Sequence, residues 1–155
     1  PIYTYMAKKT VAKPDLIKAS LLEFEMSGGY HLFLNVKLNG KRCRFLLDTG
    51  ASKSVVDKAY FEKHFGKQNL KTIKQQTTGL HSSVPESYFG KIKEFAVGKK
   101  LIKNYTIAAV DLSHVNMTYA ALKKPKIQGI LGSDVMLQCK MLIDYGTMTI
   151  TLPVN

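Results

Sequence analysis

The sequence predicts an all-β domain of barrel-like form with a few short helices. Three observations carry this. Short alternating or apolar runs recur along the chain, tight-turn signals such as Asn39-Gly40 separate them, and the helical stretches are few and brief. At 155 residues the chain suits one domain with a substantial core.

Residues 1–21 have no firm periodicity and read as an N-terminal arm or first strand, with the folded domain expected over 22–155. From Tyr30 the pattern alternates, which predicts a strand with Tyr30, Leu32, Leu34, Val36 and Leu38 on one face. Asn39-Gly40 follows, and both residues accept the positive φ of a two-residue hairpin turn. The return strand, Lys41 to Leu47, ends in Phe45-Leu46-Leu47 and delivers the chain into Asp48-Thr49-Gly50. A carboxylate at the end of a buried strand is costly unless it is hydrogen-bonded or paired, so this one calls for a reason. Asp57 can cap a helix carrying Tyr60, Phe61, His64 and Phe65, which Gly66 stops. Residues 72–97 read as two extended segments around a polar tip, Gly79 to Glu86. Gly98-Lys99-Lys100 turns into a strand from Leu101 to Val110, and a short helix is expected around Val115 to Leu122, before Pro125. Ile127 to Gly132 is an apolar strand framed by glycines, after which Ser133 can cap a last helix. A final hairpin, Lys140 to Ile143 and Thr147 to Leu152, turns at Asp144-Tyr145-Gly146.

Composition narrows the function classes. Apolar residues are 45% and charged residues 22%, a globular balance. No apolar run reaches the roughly 18 residues of a membrane span, and Pro1 to Lys9 lacks a signal-peptide pattern. The chain opens without Met and is expected to be a processed or trimmed product. The net charge is +12, but arginine occurs only at Arg42 and Arg44 and the lysines are spread along the chain. Arg forks and aromatic platforms mark nucleic-acid sites, so a solvated lysine surface is the better reading and nucleic acid is not an expected partner. Cys43 and Cys139 have no metal-ligand spacing and read as buried thiols in a reducing compartment. His31, His64, His81 and His114 show no helical metal spacing, and no Gly-x-Ser-x-Gly elbow is present. No metal or cofactor is expected.

Asp-Thr-Gly alone is also ordinary turn chemistry. Its surroundings are more specific. Phe45-Leu46-Leu47-Asp48-Thr49-Gly50-Ala51-Ser52 resembles the active-site strand and turn of retropepsins, the single-lobed aspartic proteases of retroviruses and retroelements. Downstream, Gly129-Ile130-Leu131-Gly132-Ser133-Asp134 is similar to the family's second signature, and Asp144-Tyr145 resembles its bacterial members. The resemblance spans residues 22–152. It implies a retropepsin-like barrel with one lobe per chain, and a homodimer in which two Asp48 carboxylates activate water against a polypeptide substrate. Such a pair, sharing one proton, can serve as base and acid in turn.

By the same resemblance, Thr49 braces the paired loops and Gly50 lets backbone amides approach the carboxylate. Ser52 helps hold Asp48, while Ala51 points to a weakly acidic optimum. Gly129, Ile130, Leu131 and Gly132 support the site, and Thr78, Gly79 and Leu80 lie in a substrate-covering flap. That flap departs from the viral form, since Thr77 to Ser87 holds one glycine and a proline rather than a glycine-rich tip. Asp144 is followed by Tyr145-Gly146 and too little chain for a second lobe, so it reads as a turn residue. Bacterial relatives without signal peptides point to the cytoplasm. Two other readings compete: a catalytically silent module of the same fold used for binding or dimerisation, and a basic nucleic-acid-binding protein. The final hairpin is a candidate for pairing with a partner's strands.

Overall fold

The computed structural model describes residues 13–18, 20–24, 29–73 and 87–153. In chain order the strands and helices are β1 (Asp15–Lys18), β2 (Ser20–Phe24), β3 (Gly29–Leu38), β4 (Lys41–Leu47), β5 (Val55–Asp57), α1 (Lys58–Phe65) and β6 (Leu70–Ile73). There follow β7 (Ser87–Val97), β8 (Lys100–Val110), α2 (Ser113–Ala121), β9 (Gly129–Leu131), α3 (Ser133–Gln138), β10 (Leu142–Asp144) and β11 (Thr149–Leu152).

The β3–β4 hairpin turns at Asn39 and Gly40 with φ of 48° and 80°, the positive values that a tight primed turn needs. From β4 the neighbours run β9, β5, β8, β7, and β7 returns to β3 through Lys37↔Ala96 and Leu38↔Phe95. Six strands therefore close into a barrel, which satisfies backbone groups that an open sheet would leave bare. The all-β, barrel-like expectation holds. β2 extends the sheet beyond β3 and β6 beyond β7, while β1, β11 and β10 form a separate three-stranded sheet.

Alternation in β3 places Leu32, Leu34, Val36 and Leu38 in the barrel core with Phe45, Ile92, Phe95 and Ile107. Phe95 packs edge-on against Phe45 and Tyr105, with centroids 5.9 Å and 5.3 Å away, a favourable aromatic geometry. The expected face is corrected at one end, because Tyr30 is 56% exposed. Phe33, on the opposite face, is buried instead in a second cluster with Leu112, Tyr119 and Ile127. β3 is covered on both sides along its middle, so simple alternation fails there.

Asp57 caps α1 by accepting the Tyr60 amide at 3.0 Å, and its other oxygen accepts the Leu112 amide at 3.1 Å. α2 starts at Ser113, slightly before the predicted position. Cys43 and Cys139 are free and buried, and burial pushes both thiols above their ordinary pKa. β11 pairs with β10 on one side and β1 on the other, through the row Ile17↔Ile150↔Ile143. Both edges of β11 are thus occupied within the chain, which removes that half of the hairpin from pairing with a partner. Among the described residues, no helix is long and apolar enough to cross a membrane.

Phe95→Ala should cost about 3–5 kcal/mol of stability in urea denaturation, as expected for truncating a fully buried aromatic. The exposed neighbour Lys93→Ala should stay within about 0.5 kcal/mol of the parent. Equal effects of the two would contradict the packing described.

Candidate active site

β9 lies between β4 and β5, parallel to the first and antiparallel to the second. Residues 48–54 join those two strands and so cross the end of β9. The Asp48 amide donates to the Leu131 carbonyl at 3.0 Å, one step beyond the Leu47↔Leu131 pair. The chain then turns: the Ala51 amide donates to the Asp48 carbonyl at 3.2 Å, and the Gly50 amide to Asp48 Oδ1 at 2.9 Å. A Cβ on Gly50 would stand only 3.2 Å from that oxygen, so glycine permits the close approach. Asp48, Thr49 and Gly50 are all exposed. An oriented, solvent-facing carboxylate can take or hold a proton. Ser52 is exposed in the same loop, and the hydrogen bond to the carboxylate comes from Gly50 instead.

The second glycine signature clamps the loop from behind. The Ser133 amide and hydroxyl both donate to the Ala51 carbonyl, at 2.8 Å and 3.1 Å. Ser133 therefore does not cap α3 as expected; Gly132 is the cap residue, and the hydroxyl goes to a loop carbonyl that no strand partner satisfies. Gly132 is buried, and a Cβ there would lie 2.7–2.8 Å from the backbone of Ala51 and Lys53. A Cβ on Gly129 would come within 2.5 Å of the Val55 carbonyl oxygen. Leu131 is fully buried in the barrel core, whereas Ile130 is half-buried and packs with Leu46 in the second cluster.

Under the loop sits a polar network that the sequence reading did not single out. Ser54 is 1% exposed; its hydroxyl donates to Asp134 Oδ1 at 2.8 Å and accepts the Gly132 amide at 2.9 Å. The amides of Ser54 and Val135 also donate to Asp134 Oδ1, at 2.9 Å and 2.8 Å, and the Tyr105 hydroxyl donates to Oδ2 at 2.5 Å. Burial alone would raise the Asp134 pKa, but the hydrogen bonds from Tyr105, Ser54 and the two amides outweigh it and hold the carboxyl below its usual range. Burial, then the bond to Asp134, pushes the Tyr105 phenol well above its ordinary value. The only local signal was an acidic residue in the first turn of α3. The partners come from β8 and from the end of the loop.

Leu46 precedes Asp48 by one strand repeat and shares its face, next to Ile130 on β9. Phe33, Val115 and Tyr119 pack behind them, and the Arg44 guanidinium lies 4.2 Å above the Phe33 ring. His31 Nδ1 and the Tyr119 hydroxyl are hydrogen-bonded at 2.8 Å. α2, which had no assigned role, therefore backs an apolar wall beside Asp48. A cleft of about 550 Å³ between α1 and α2, lined by Asp57, Lys63, His64, Asp111 and Met117 among others, includes no residue of the 48–54 loop. That cleft is separate from the Asp48 loop. Thr78, Gly79 and Leu80 lie outside the described residues, but the base of their hairpin is in place through Leu70↔Gly90 to Ile73↔Ser87. Among the described residues, no group of three His, Cys, Asp or Glu side chains could hold a metal ion.

The family model described as "Aspartyl protease" matches residues 34–135, which takes in both the Asp48 loop and the Gly132 clamp. The chain belongs to the aspartyl protease family. Among solved structures, it is similar to a retropepsin-like aspartic protease from Rickettsia conorii. That match has 19% identity and a TM-score of 0.52, and covers 91% of this chain and 94% of the other. The retroviral protease-like domain of Ddi1 from Leishmania major matches with 15% identity and a TM-score of 0.48, over 81% and 96% of the two chains. The EIAV protease complexed with the inhibitor HBY-793 matches with 20% identity and a TM-score of 0.44, over 76% and 93%. No curated protein matches by sequence. The retropepsin-like fold read from the two signatures is borne out.

The Asp134 network makes a pH-dependent prediction for this aspartyl protease domain. Its carboxyl titrates lower in the folded chain than at its unfolded value of about 3.9, so protonation favours unfolding. The stabilisation is fully present above the unfolded value and is lost as pH falls through the folded one. Asp134→Asn should therefore be less stable than the parent at neutral pH, with the gap closing below about pH 4. Urea denaturation across a pH series measures this, and a gap that persists in strong acid would contradict an ionised Asp134.

Proposed function

We propose that this chain is an aspartic endopeptidase that works as a homodimer, with water activated between two Asp48 carboxylates. The observation that carries it is the exposed Asp48, oriented by the Gly50 amide in a loop clamped from behind by Gly132, Ser133 and Asp134. Peptide hydrolysis without metal or covalent intermediate needs a base for the attacking water and an acid for the departing amine. Two adjacent carboxyls sharing one proton provide both, because like charges a few ångströms apart do not both ionise easily. Sharing one proton in this way is the general behaviour of aspartic proteases as a class. The chain carries one Asp-Thr-Gly, so the second carboxylate comes from another copy across a two-fold axis.

In this reading Thr49 braces the two loops, Gly129 to Gly132 fix each loop to its own barrel, and Thr78 to Leu80 belong to a lid over the substrate. The apolar wall of Leu46 and Ile130 flanks the bound polypeptide. A cytoplasmic site of action fits the two free buried thiols, which need no oxidising compartment.

Asp48→Asn should abolish cleavage of a proteome-derived peptide library while leaving the circular dichroism spectrum unchanged, since an exposed charge is removed and no core volume. Cleavage by the variant at the parent rate would refute the assignment. Parent chains that dimerise but never cleave would favour the silent binding module.

Shared catalysis also predicts two dependences. Activity per mole should fall on dilution below the dimer Kd, and further when excess Asp48→Asn chains are mixed in, since each mixed dimer holds one native aspartate. A strictly monomeric chain with full activity at every concentration, followed by sedimentation and rate together, would end the two-chain reading.

A further inference from the structure

α2 presents two faces. Val115 and Tyr119, one helical turn apart, pack with Phe33, Leu46 and Ile130 on the wall beside Asp48. On the other side Asn116, Met117 and Ala120 line the cleft of about 550 Å³, together with Ala59, Tyr60 and Lys63 of α1. Asn116 fixes the helix to the floor of that cleft: its side chain donates to the Ile127 carbonyl at 3.1 Å and accepts the Ile127 amide at 2.9 Å.

The cleft is apolar within and cationic at its rim. Met117, although apolar, is 67% exposed there. The His64 ring lies on Tyr60, with centroids 4.4 Å apart. Partial burial, then Lys41 and Lys63 nearby, hold its pKa below the ordinary imidazole value, so at neutral pH it adds an uncharged aromatic surface. The acids of the lining are already engaged. Asp57 accepts the Tyr60 and Leu112 amides, one on each oxygen, and Asp111 accepts the Ser113 amide. Lys63 on α1 and Lys126 beyond α2 are exposed and have no ion-pair partner among the described residues. The net charge of +12 adds a field of the same sign.

We propose that this cleft docks an acidic segment of the polypeptide substrate, its carboxylates against Lys63 and Lys126 and its apolar side chains on Met117 and Tyr60. This inference rests on the endopeptidase reading and names the substrate class for that site. The cleft meets β9 at Gln128, and the Asp48 loop crosses β9 at Leu131. That stretch of strand spans about 10 Å, the length of roughly three extended residues, so one substrate chain can reach both places. An occupant of the cleft also bears on the helix whose other face backs the wall.

The test uses a capped, fluorescein-labelled heptapeptide of alternating Glu and Leu, with its Lys-Leu counterpart as control. Fluorescence anisotropy should show the parent binding the first and not the second, more weakly as salt rises. Lys63→Glu/Lys126→Glu should weaken binding at least about tenfold, whereas Lys91→Glu/Lys103→Glu, the same charge change at exposed positions outside the cleft, should stay within about twofold. Circular dichroism should show both variants folded as the parent. With the Glu-Leu segment appended about four residues from the cleaved bond of a library substrate, the cleft variant should raise KM and leave kcat unchanged. The same substrate without the segment should be cleaved equally by parent and variant. Equal binding by parent and cleft variant, beside an active parent, overturns this inference and leaves the protease reading standing. Lost binding with an unchanged KM overturns the assignment of the cleft to substrate. A parent that cleaves no peptide overturns both readings.

Discussion

The arrangement on which everything else depends is the insertion of β9 between β4 and β5. Those strands are consecutive in sequence, yet they never meet, because a strand from far downstream separates them. Gln128, just before β9, holds both neighbours. Its amide donates to the Arg44 carbonyl at 2.8 Å, its side-chain oxygen accepts the Arg44 amide at 2.7 Å, and its carbonyl accepts the Asp57 amide at 2.8 Å. The 48–54 loop has no freedom to choose its path. It must leave β4 at Leu47, pass over the end of β9 at Leu131 and enter β5 at Val55. The carboxylate of Asp48 is placed by strand register, and strand register is what a closed barrel specifies most firmly.

That route brings a cost, because the crossing leaves polar groups facing the barrel interior. Ser54 and Asp134 meet there, and a carboxylate in such a place is tolerable only when its lone pairs are filled. They are filled by donors from three separate elements: the loop at Ser54, β8 at Tyr105 and α3 at Val135. A network of this kind is satisfied in one arrangement only, and a shift of α3 by even a fraction of a turn would strand several groups at once. Gly132 acts on the same joint through sterics, since no side chain fits between it and the loop backbone. Charge and shape therefore fix the same contact, which is the one that holds the Asp48 loop against its own barrel.

Much of this was legible wherever the cause is local. The Asn39-Gly40 turn, the Asp57 cap, the Gly66 stop and the bounds of β4 follow from backbone preferences of the residues themselves. The loop and its glycine clamp were legible as a pair of signatures, although not as touching atoms. What escaped is non-local. Tyr30 continues the alternation of β3 but runs past the cover of the barrel, while Phe33 breaks it because α2 supplies a second buried surface through Tyr119. Ser133 has the right residue type for a cap, but a loop carbonyl more than eighty positions upstream is the acceptor its hydroxyl uses, at |i−j| = 82. The last hairpin looked available to a partner because nothing in residues 15–18 announced that they would cover β11.

A site assembled from two chains places its own demand on this architecture. Association costs free energy for every group that must be ordered as the chains meet, so a loop that formed only on pairing would weaken the dimer it serves. Here the loop is held by bonds within one chain: Asp48 to Leu131, Gly50 to Asp48, Ser133 to Ala51, and Ser54 to Asp134. Two such loops could approach as finished surfaces, leaving the ordering cost to the interface side chains. The exposure of Asp48, Thr49 and Gly50 then has a physical meaning. Under the two-chain reading, the separated chain lacks the second carboxyl of the pair although its own loop is already in place. Catalysis is then governed by concentration through the pairing equilibrium, and a half-site already held within its own chain lowers the ordering cost of that pairing.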